Sequence, residues 1–254
     1  MMNESMLKTY EETFTLQTRD CDFCGCWRPS AILESMQEAA GVHSVLLGCG
    51  REELLKNHIV WVLSRCELHM TRYPRMGEKI TLQTFPIAVR RYFFPRYFYF
   101  TDAQGEMIGK AGSLWLLLDT RTRHMLPPGG IARLIPDNHD LSVPMNLPAT
   151  VNNLQGEEFV TERIPQYTDL DVNGHVNNAR YVDWLCNALG IDCLRRYEPE
   201  SILLNFNSEI LPEHRVMLHR VLKDQEYRLS GYTGEKAAFE IGGRLRIRPA
   251  QEPV

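Results

Sequence analysis

Residues 169–175 read Asp-Leu-Asp-Val-Asn-Gly-His and place a carboxylate, a carboxamide and an imidazole at alternate positions, Asp171, Asn173 and His175. Such a set can do hydrolytic chemistry. An imidazole, with a reference pKa near ~6.5, exchanges protons at neutral pH. A carboxamide donates to a carbonyl oxygen that is gaining charge, and a carboxylate can orient both. Gly174 allows a positive φ or a close backbone approach. The same residue types also have a plainer use. Asp, Asn and Gly form turns and Asn177 is a good helix cap, so the stretch reads equally as turn chemistry ahead of a helix.

A second stretch repeats the pattern. Residues 20–26, Asp-Cys-Asp-Phe-Cys-Gly-Cys, align without gaps on 169–175, with Cys24 and Cys26 standing where the other has Asn173 and His175. Duplication accounts for this better than chance. One copy kept the polar groups and the other is retired. Cys21, Cys24 and Cys26 are also the one cysteine group to weigh as a metal site. Zinc takes four ligands, and no nearby Cys or His pair completes a familiar spacing. The three read as small side chains in a turn, with no metal and no cofactor expected.

The elements that must position these loops come in the same order in both halves. In the first, a strand over 13–18 and a turn-rich passage lead to Pro29, which suits the first turn of a helix running to about Leu47. Strands follow at 59–68, 79–89, 92–101 and 107–118. In the second, a strand at 158–164 and a turn precede a helix over 177–194, and strands follow at 202–210, 215–222, 227–233 and 237–246. Residues 127–153, rich in Pro, Gly and Asn, read as the connection. One strand, a long enclosed helix and a run of antiparallel strands is the order of the hotdog fold. The expected architecture is therefore α+β: two tandem hotdog domains, each an antiparallel sheet wrapped around a central helix. The first covers 1–135, a connector 136–156 and the second 157–254. Side by side, such units can join their sheets edge to edge and cover open strands.

The 254 residues carry 28 basic and 32 acidic side chains, a net charge of −4, which argues against nucleic acid as a partner. No apolar run approaches the roughly 18 residues of a membrane span, so no membrane insertion is expected. The first residues lack a basic segment followed by an apolar run, so no secretory signal is read there. Seven cysteines, an odd number in a chain too large to need disulfide staples, suit reduced thiols in a cytoplasm.

Residues 169–181, Asp-Leu-Asp-Val-Asn-Gly-His-Val-Asn-Asn-Ala-Arg-Tyr, strongly resemble the signature of the acyl-acyl carrier protein thioesterases of plants and bacteria. Residues 61–65, 72–78, 113–115 and 119–123 resemble other segments of that family, and the similarity runs from about Thr9 to Arg248. Plant members carry a plastid transit peptide; none is recognised here, which suggests a bacterial enzyme. The resemblance implies hydrolysis of fatty acyl thioesters, with Asp171, Asn173 and His175 lining the active site. A glutamate followed by a cysteine in the family corresponds to Glu209-Ile210: the glutamate is kept and the cysteine is gone. Cys186 lies inside the helix and reads as core, so nucleophilic cysteine catalysis is not expected.

A thiol of pKa near ~8.5 leaves without much acid help, so the demands are water activation and charge stabilisation. Glu209 is expected as the principal base, with His175 binding water or thioester and Asp171 orienting its neighbours. Backbone N–H groups of Gly174, His175, Val176 and Asn177, with the Asn173 side chain, are expected to form the oxyanion site. The resemblance further implies an acyl tunnel in the first hotdog beside residues 29–47, with Met36, Val42, Val45 and Leu46 as candidate walls. The partner would be an acyl carrier protein bearing a phosphopantetheine-linked acyl chain, with Arg90, Arg91 and Arg96 as candidate docking cations. An acyl-CoA thioesterase on the same fold and a non-enzymatic acyl-binding protein are the alternatives. Association into a homodimer stays open.

Overall fold

Alternating polarity sets the strands, and their burial follows it: Tyr10–Thr15 alternates half-buried with exposed along its length. The computed structural model describes residues 8–249; residues 1–7, including the stretch read above for a secretory signal, lie outside the described residues. The chain divides between Ala149 and Thr150 into two units.

The first unit contains β1 (Tyr10–Thr15), α1 (Pro29–Leu46), α2 (Arg51–Leu55), β2 (Ile59–Met70), β3 (Lys79–Pro86), β4 (Phe94–Thr101), β5 (Met107–Asp119) and β6 (Met125–Leu126). Its antiparallel sheet runs β1-β3-β4-β5-β2, with β6 against β5. Pro29 at the first helical turn starts α1, which packs on β1 and β3. The helix buries Ile32, Leu33, Met36, Ala39 and Ala40. Complete burial of a side chain such as Ile32, at 0% exposure, contributes about 1.5–3 kcal/mol.

The second unit contains β7 (Glu158–Arg163), α3 (Arg180–Leu189), α4 (Ile191–Arg196), β8 (Tyr197–Phe206), β9 (Val216–Lys223), β10 (Glu226–Thr233) and β11 (Lys236–Ile247). Its antiparallel order, β7-β9-β10-β11-β8, is the first unit's order strand for strand. Each unit is thus a hotdog: an antiparallel sheet with its main helix between the first and second strands in sequence.

The first strand lies at Tyr10–Thr15 rather than 13–18, and two of the elements that position the 171–177 loop and Glu209 also differ from the sequence reading. The helix expected over 177–194 starts only at Arg180, because Asn177 Oδ1 accepts the Ala179 N–H at 2.8 Å and holds a turn ahead of it. It stops at Leu189, because Gly190 adopts φ 87°, and a separate short helix follows. The strand expected over 202–210 is shifted: β8 runs from Tyr197 to Phe206. Beyond it the N–H groups of Asn207 and Ser208 both turn to the Ala238 carbonyl. Glu209 therefore sits in a loop past the strand end.

Residues 137–149 cover the first unit's sheet. Asn138 Nδ2 donates to the carbonyls of Lys8 and Pro86, both at 2.8 Å. Tyr99 Oη donates to the Ser142 carbonyl and Lys110 Nζ to that of Pro144, while Pro148 stacks over Gly112. This cover explains why Phe94 through Phe98 are all buried, on both faces of β4.

Candidate active site

The 171–177 loop is built by one carboxylate. Asp171 Oδ1 accepts the N–H groups of Asn173 at 2.8 Å and His175 at 3.3 Å, and Oδ2 accepts from Asn173 Nδ2 at 3.3 Å. The Asp171 N–H reaches back to the His175 carbonyl at 2.8 Å and the Gly174 N–H to the Asp171 carbonyl at 3.0 Å. The reversal needs φ 78° at Gly174. A Cβ there would meet nothing within 4 Å, so the demand for glycine is conformational rather than steric.

Glu209 meets this loop from the other segment. The Val176 N–H donates to the Ile210 carbonyl at 2.9 Å, which fixes the register between the segments. In that register His175 Nε2 and Glu209 Oε2 stand 2.9 Å apart, with side chains 29% and 36% exposed. A carboxylate and an imidazole therefore share one accessible spot, on a loop whose Asn173 carboxamide is held by Asp171. Where the family pattern has cysteine, Ile210 is buried, and Cys186 is half-buried on α3.

The backbone oxyanion site expected from the sequence is not what the loop offers. The Gly174 and His175 amides go to Asp171, the Val176 amide to Ile210 and the Asn177 amide to the Asp169 carbonyl at 2.8 Å. All four N–H groups are engaged in holding the turn. The Asn173 side chain remains as the candidate oxyanion donor.

Tyr181, on the first turn of α3, is a residue to which the sequence reading gave no role. Its ring is 3% exposed and packs on Trp184, Phe206 and Phe239. Burial, and next the nearby Asp171 charge, push its hydroxyl above the ordinary tyrosine range, so it stays protonated. The signal was present in the repeat: the gap-free alignment puts Ile32 opposite Tyr181.

In the first unit, a small crevice of about 10 Å³ lies between α1 and the sheet, walled by Leu33 and Met36 of α1, Leu63 and Cys66 of β2, Phe98 of β4 and Trp115 of β5. Gln37 and Ser113 are its polar members. Burial pushes the Cys66 thiol up to about 12, so it is an inert wall rather than a nucleophile. Of the candidate acyl-binding residues, Met36 lines this crevice. Val42 and Val45 are 41% and 65% exposed, and with half-buried Leu46 they lie outside the lining, on helix positions turned from it.

The arginines separate in the same way. Arg90 and Arg91 are exposed at the turn between β3 and β4. Arg96 is only 6% exposed and cannot dock a carrier from the surface. Its Nη1 donates to His43 Nδ1 at 3.0 Å and Thr84 Oγ1 at 3.2 Å, and burial pulls its pKa down to about 10. Position on β4 decides this: Arg96 sits among Phe94, Phe98 and Phe100, the residues that share its face.

Among the described residues, no group of three or more His, Cys, Asp or Glu is arranged to hold a metal ion, and no helix is long and apolar enough to cross a membrane.

With this geometry established, the resemblance read from the sequence can be set against known proteins. The family described as acyl-ACP thioesterase N-terminal domain matches residues 7–127, and acyl-ACP thioesterase C-terminal domain matches residues 153–236. Similar curated proteins include a chloroplastic acyl-[acyl-carrier-protein] hydrolase of Cuphea viscosissima, 25% identical over 70% of this chain and 46% of its own length. The chloroplastic oleoyl-acyl carrier protein thioesterase of Coriandrum sativum is 24% identical over 79% of this chain and 59% of its own length. The chain thus spans about half the length of the curated relatives it matches. Among solved structures, an acyl-ACP thioesterase from Bacteroides thetaiotaomicron superposes with TM-score 0.85 at 22% identity, covering 96% of this chain and 100% of that one. The 12:0-ACP thioesterase of Umbellularia californica gives TM-score 0.80 at 22% identity, over 94% and 98%. At that identity the likeness is one of fold.

Proposed function

That the chain belongs to the acyl-ACP thioesterase family, in both of its domains, is the premise from which we propose that it hydrolyses fatty acyl thioesters of acyl carrier protein, releasing free fatty acid. The observation that carries the reading is the 2.9 Å contact between His175 and Glu209.

Glu209 acts as principal base. Its Oε2 faces His175 Nε2, so the imidazole fixes the carboxylate while the other oxygen takes a proton from water. The water oxygen bonds to the thioester carbon, and the charge that collects on the carbonyl oxygen is met by Asn173 Nδ2. The carbon–sulfur bond then breaks, and the proton held by the dyad passes to the departing thiolate. Asp171 touches none of the reacting atoms in this scheme; it is a positioning residue that presents Asn173.

The acyl chain is assigned to the apolar crevice of the first unit, supported by its Leu33, Met36 and Phe98 walls. Docking of the acidic carrier is assigned to Arg90 and Arg91, supported by their exposure. A reducing cytoplasm is the assigned compartment, supported by the absence of any disulfide among the described residues.

The test is hydrolysis of a panel of carrier-linked and CoA-linked acyl groups. The expected result is preference for the carrier, with Arg90→Glu/Arg91→Glu raising KM for carrier substrates more than for a free thioester. Comparable turnover of both series would make this a CoA thioesterase, and no turnover of either would end the enzymatic reading.

A further inference from the structure

His175 and Glu209 come from segments far apart in sequence, and one peptide group joins their neighbours. The Ile210 carbonyl accepts the Val176 N–H at 2.9 Å, so the residue after Glu209 meets the residue after His175. The same peptide plane carries the Leu211 N–H, which donates to His214 Nδ1 at 3.2 Å. His214 gives its own N–H to the Leu211 carbonyl at 3.1 Å and closes a tight turn. The bridging peptide is thus gripped at both ends, by the loop through its oxygen and by half-buried His214 through its nitrogen. Accepting there takes an Nδ1 without a proton.

The first copy uses the same device with a different acceptor. The Trp27 N–H on the Pro74 carbonyl at 2.8 Å matches Val176 on Ile210. By that register Tyr73 occupies the Glu209 position, Arg75 that of Leu211 and Glu78 that of His214. The Arg75 N–H donates to Glu78 Oε1 at 2.6 Å, and the Glu78 N–H to the Arg75 carbonyl at 3.0 Å. Glu78 comes with its own cation, since its Oε2 accepts from Arg72 at 2.8 Å. Position 72 corresponds to Ser208, which brings no charge. A carboxylate at 214 would therefore set a second negative charge in the segment that carries the base. An imidazole accepts the same N–H without it.

We propose that His214 is a positioning residue of the thioesterase site, whose Nδ1 orients the Ile210–Leu211 peptide and so holds Glu209 in register with His175. This rests on the reading of His175 and Glu209 as the catalytic pair.

His214→Ala removes the acceptor and is expected to lower kcat about tenfold, the barrier cost of one ordinary hydrogen bond, with KM for a free thioester unchanged. His214→Gln supplies an uncharged acceptor with the reach that Glu78 has in the first copy, and should restore kcat to within about twofold of wild type. Glu78→Ala strips the matching turn of the first copy and should lower the melting temperature while leaving kcat alone. In a Glu209→Ala background, His214→Ala should not change the residual rate, because no base remains to be positioned. The proposal is overturned by a His214→Gln enzyme as slow as His214→Ala, by wild-type kcat in His214→Ala, or by an equal loss of kcat in Glu78→Ala. The same factor lost with and without Glu209 would also overturn it. A Glu209→Ala enzyme as fast as wild type would instead overturn the catalytic pair itself.

Discussion

The loops at 17–28 and 166–177 make nearly the same backbone hydrogen bonds with different side chains. In each, an aspartate Oδ1 gathers two N–H groups, Cys24 and Cys26 on Asp22, Asn173 and His175 on Asp171. A glycine turns the chain at φ 70° in one and 78° in the other. The Arg28 and Asn177 N–H groups reach the Asp20 and Asp169 carbonyls, both at 2.8 Å. The first copy makes this turn with Cys24 and Cys26 in place of the carboxamide and the imidazole, so the turn alone does not mark an active site. What separates the copies is a small set of side chains: Asn173 against Cys24, His175 against Cys26, Glu209 against Tyr73 and Tyr181 against Ile32. Shape and reactivity are carried by different positions of the same motif.

Paired substitutions test that separation. The largest expected effect is at Glu209, where Glu209→Ala should lower kcat by roughly 10²–10⁴-fold, while Tyr73→Phe leaves it unchanged. Equal losses in steady-state kinetics would erase the asymmetry. Next, Asn173→Ala should lower kcat by about 10²–10³-fold as the oxyanion donor is lost, with Cys24→Ala silent. An Asn173→Ala enzyme with full kcat would return oxyanion stabilisation to groups other than this side chain. The aspartates behave alike in one measurement and differ in another. Asp22→Ala and Asp171→Ala each leave two backbone donors unmet and should each cost about 1–3 kcal/mol in urea unfolding, but only Asp171→Ala should also slow turnover. Smallest, Gly25→Ala and Gly174→Ala should each cost about 1–2 kcal/mol through φ alone, since neither Cβ would meet a neighbour. Unequal costs would mean that the two turns are not energetic equivalents.

Much of this was legible in the residues. Alternating strands, Pro29 and the Asp-x-Asp-x-x-Gly turn report local preferences, and local preferences survive into both units. Glu209 was found only through the family resemblance, because its partner is fixed by a backbone register that no spacing rule exposes. The backbone oxyanion site failed for a related reason: the sequence shows that Gly174 to Asn177 have N–H groups, not that Asp171, Ile210 and Asp169 already accept them. Arg96 was misplaced because a cation in sequence reads as surface, whereas strand alternation sends this one inward. Gly190 was visible, but its φ 87° break was masked by apolar residues on both sides that continue the helical pattern.

The segment from Asn138 to Ala149 has a practical bearing on dissecting the molecule. Its turn and proline content suggests a slack tether, yet its hydrogen bonds to Pro86, Tyr99 and Lys110 make it a fitted lid on the first sheet. Truncating the chain at residue 135 to isolate that unit would bare Tyr97 and Gly112 to solvent and invite aggregation. A cut after Ala149, whose own N–H still caps Glu67, would leave the lid in place.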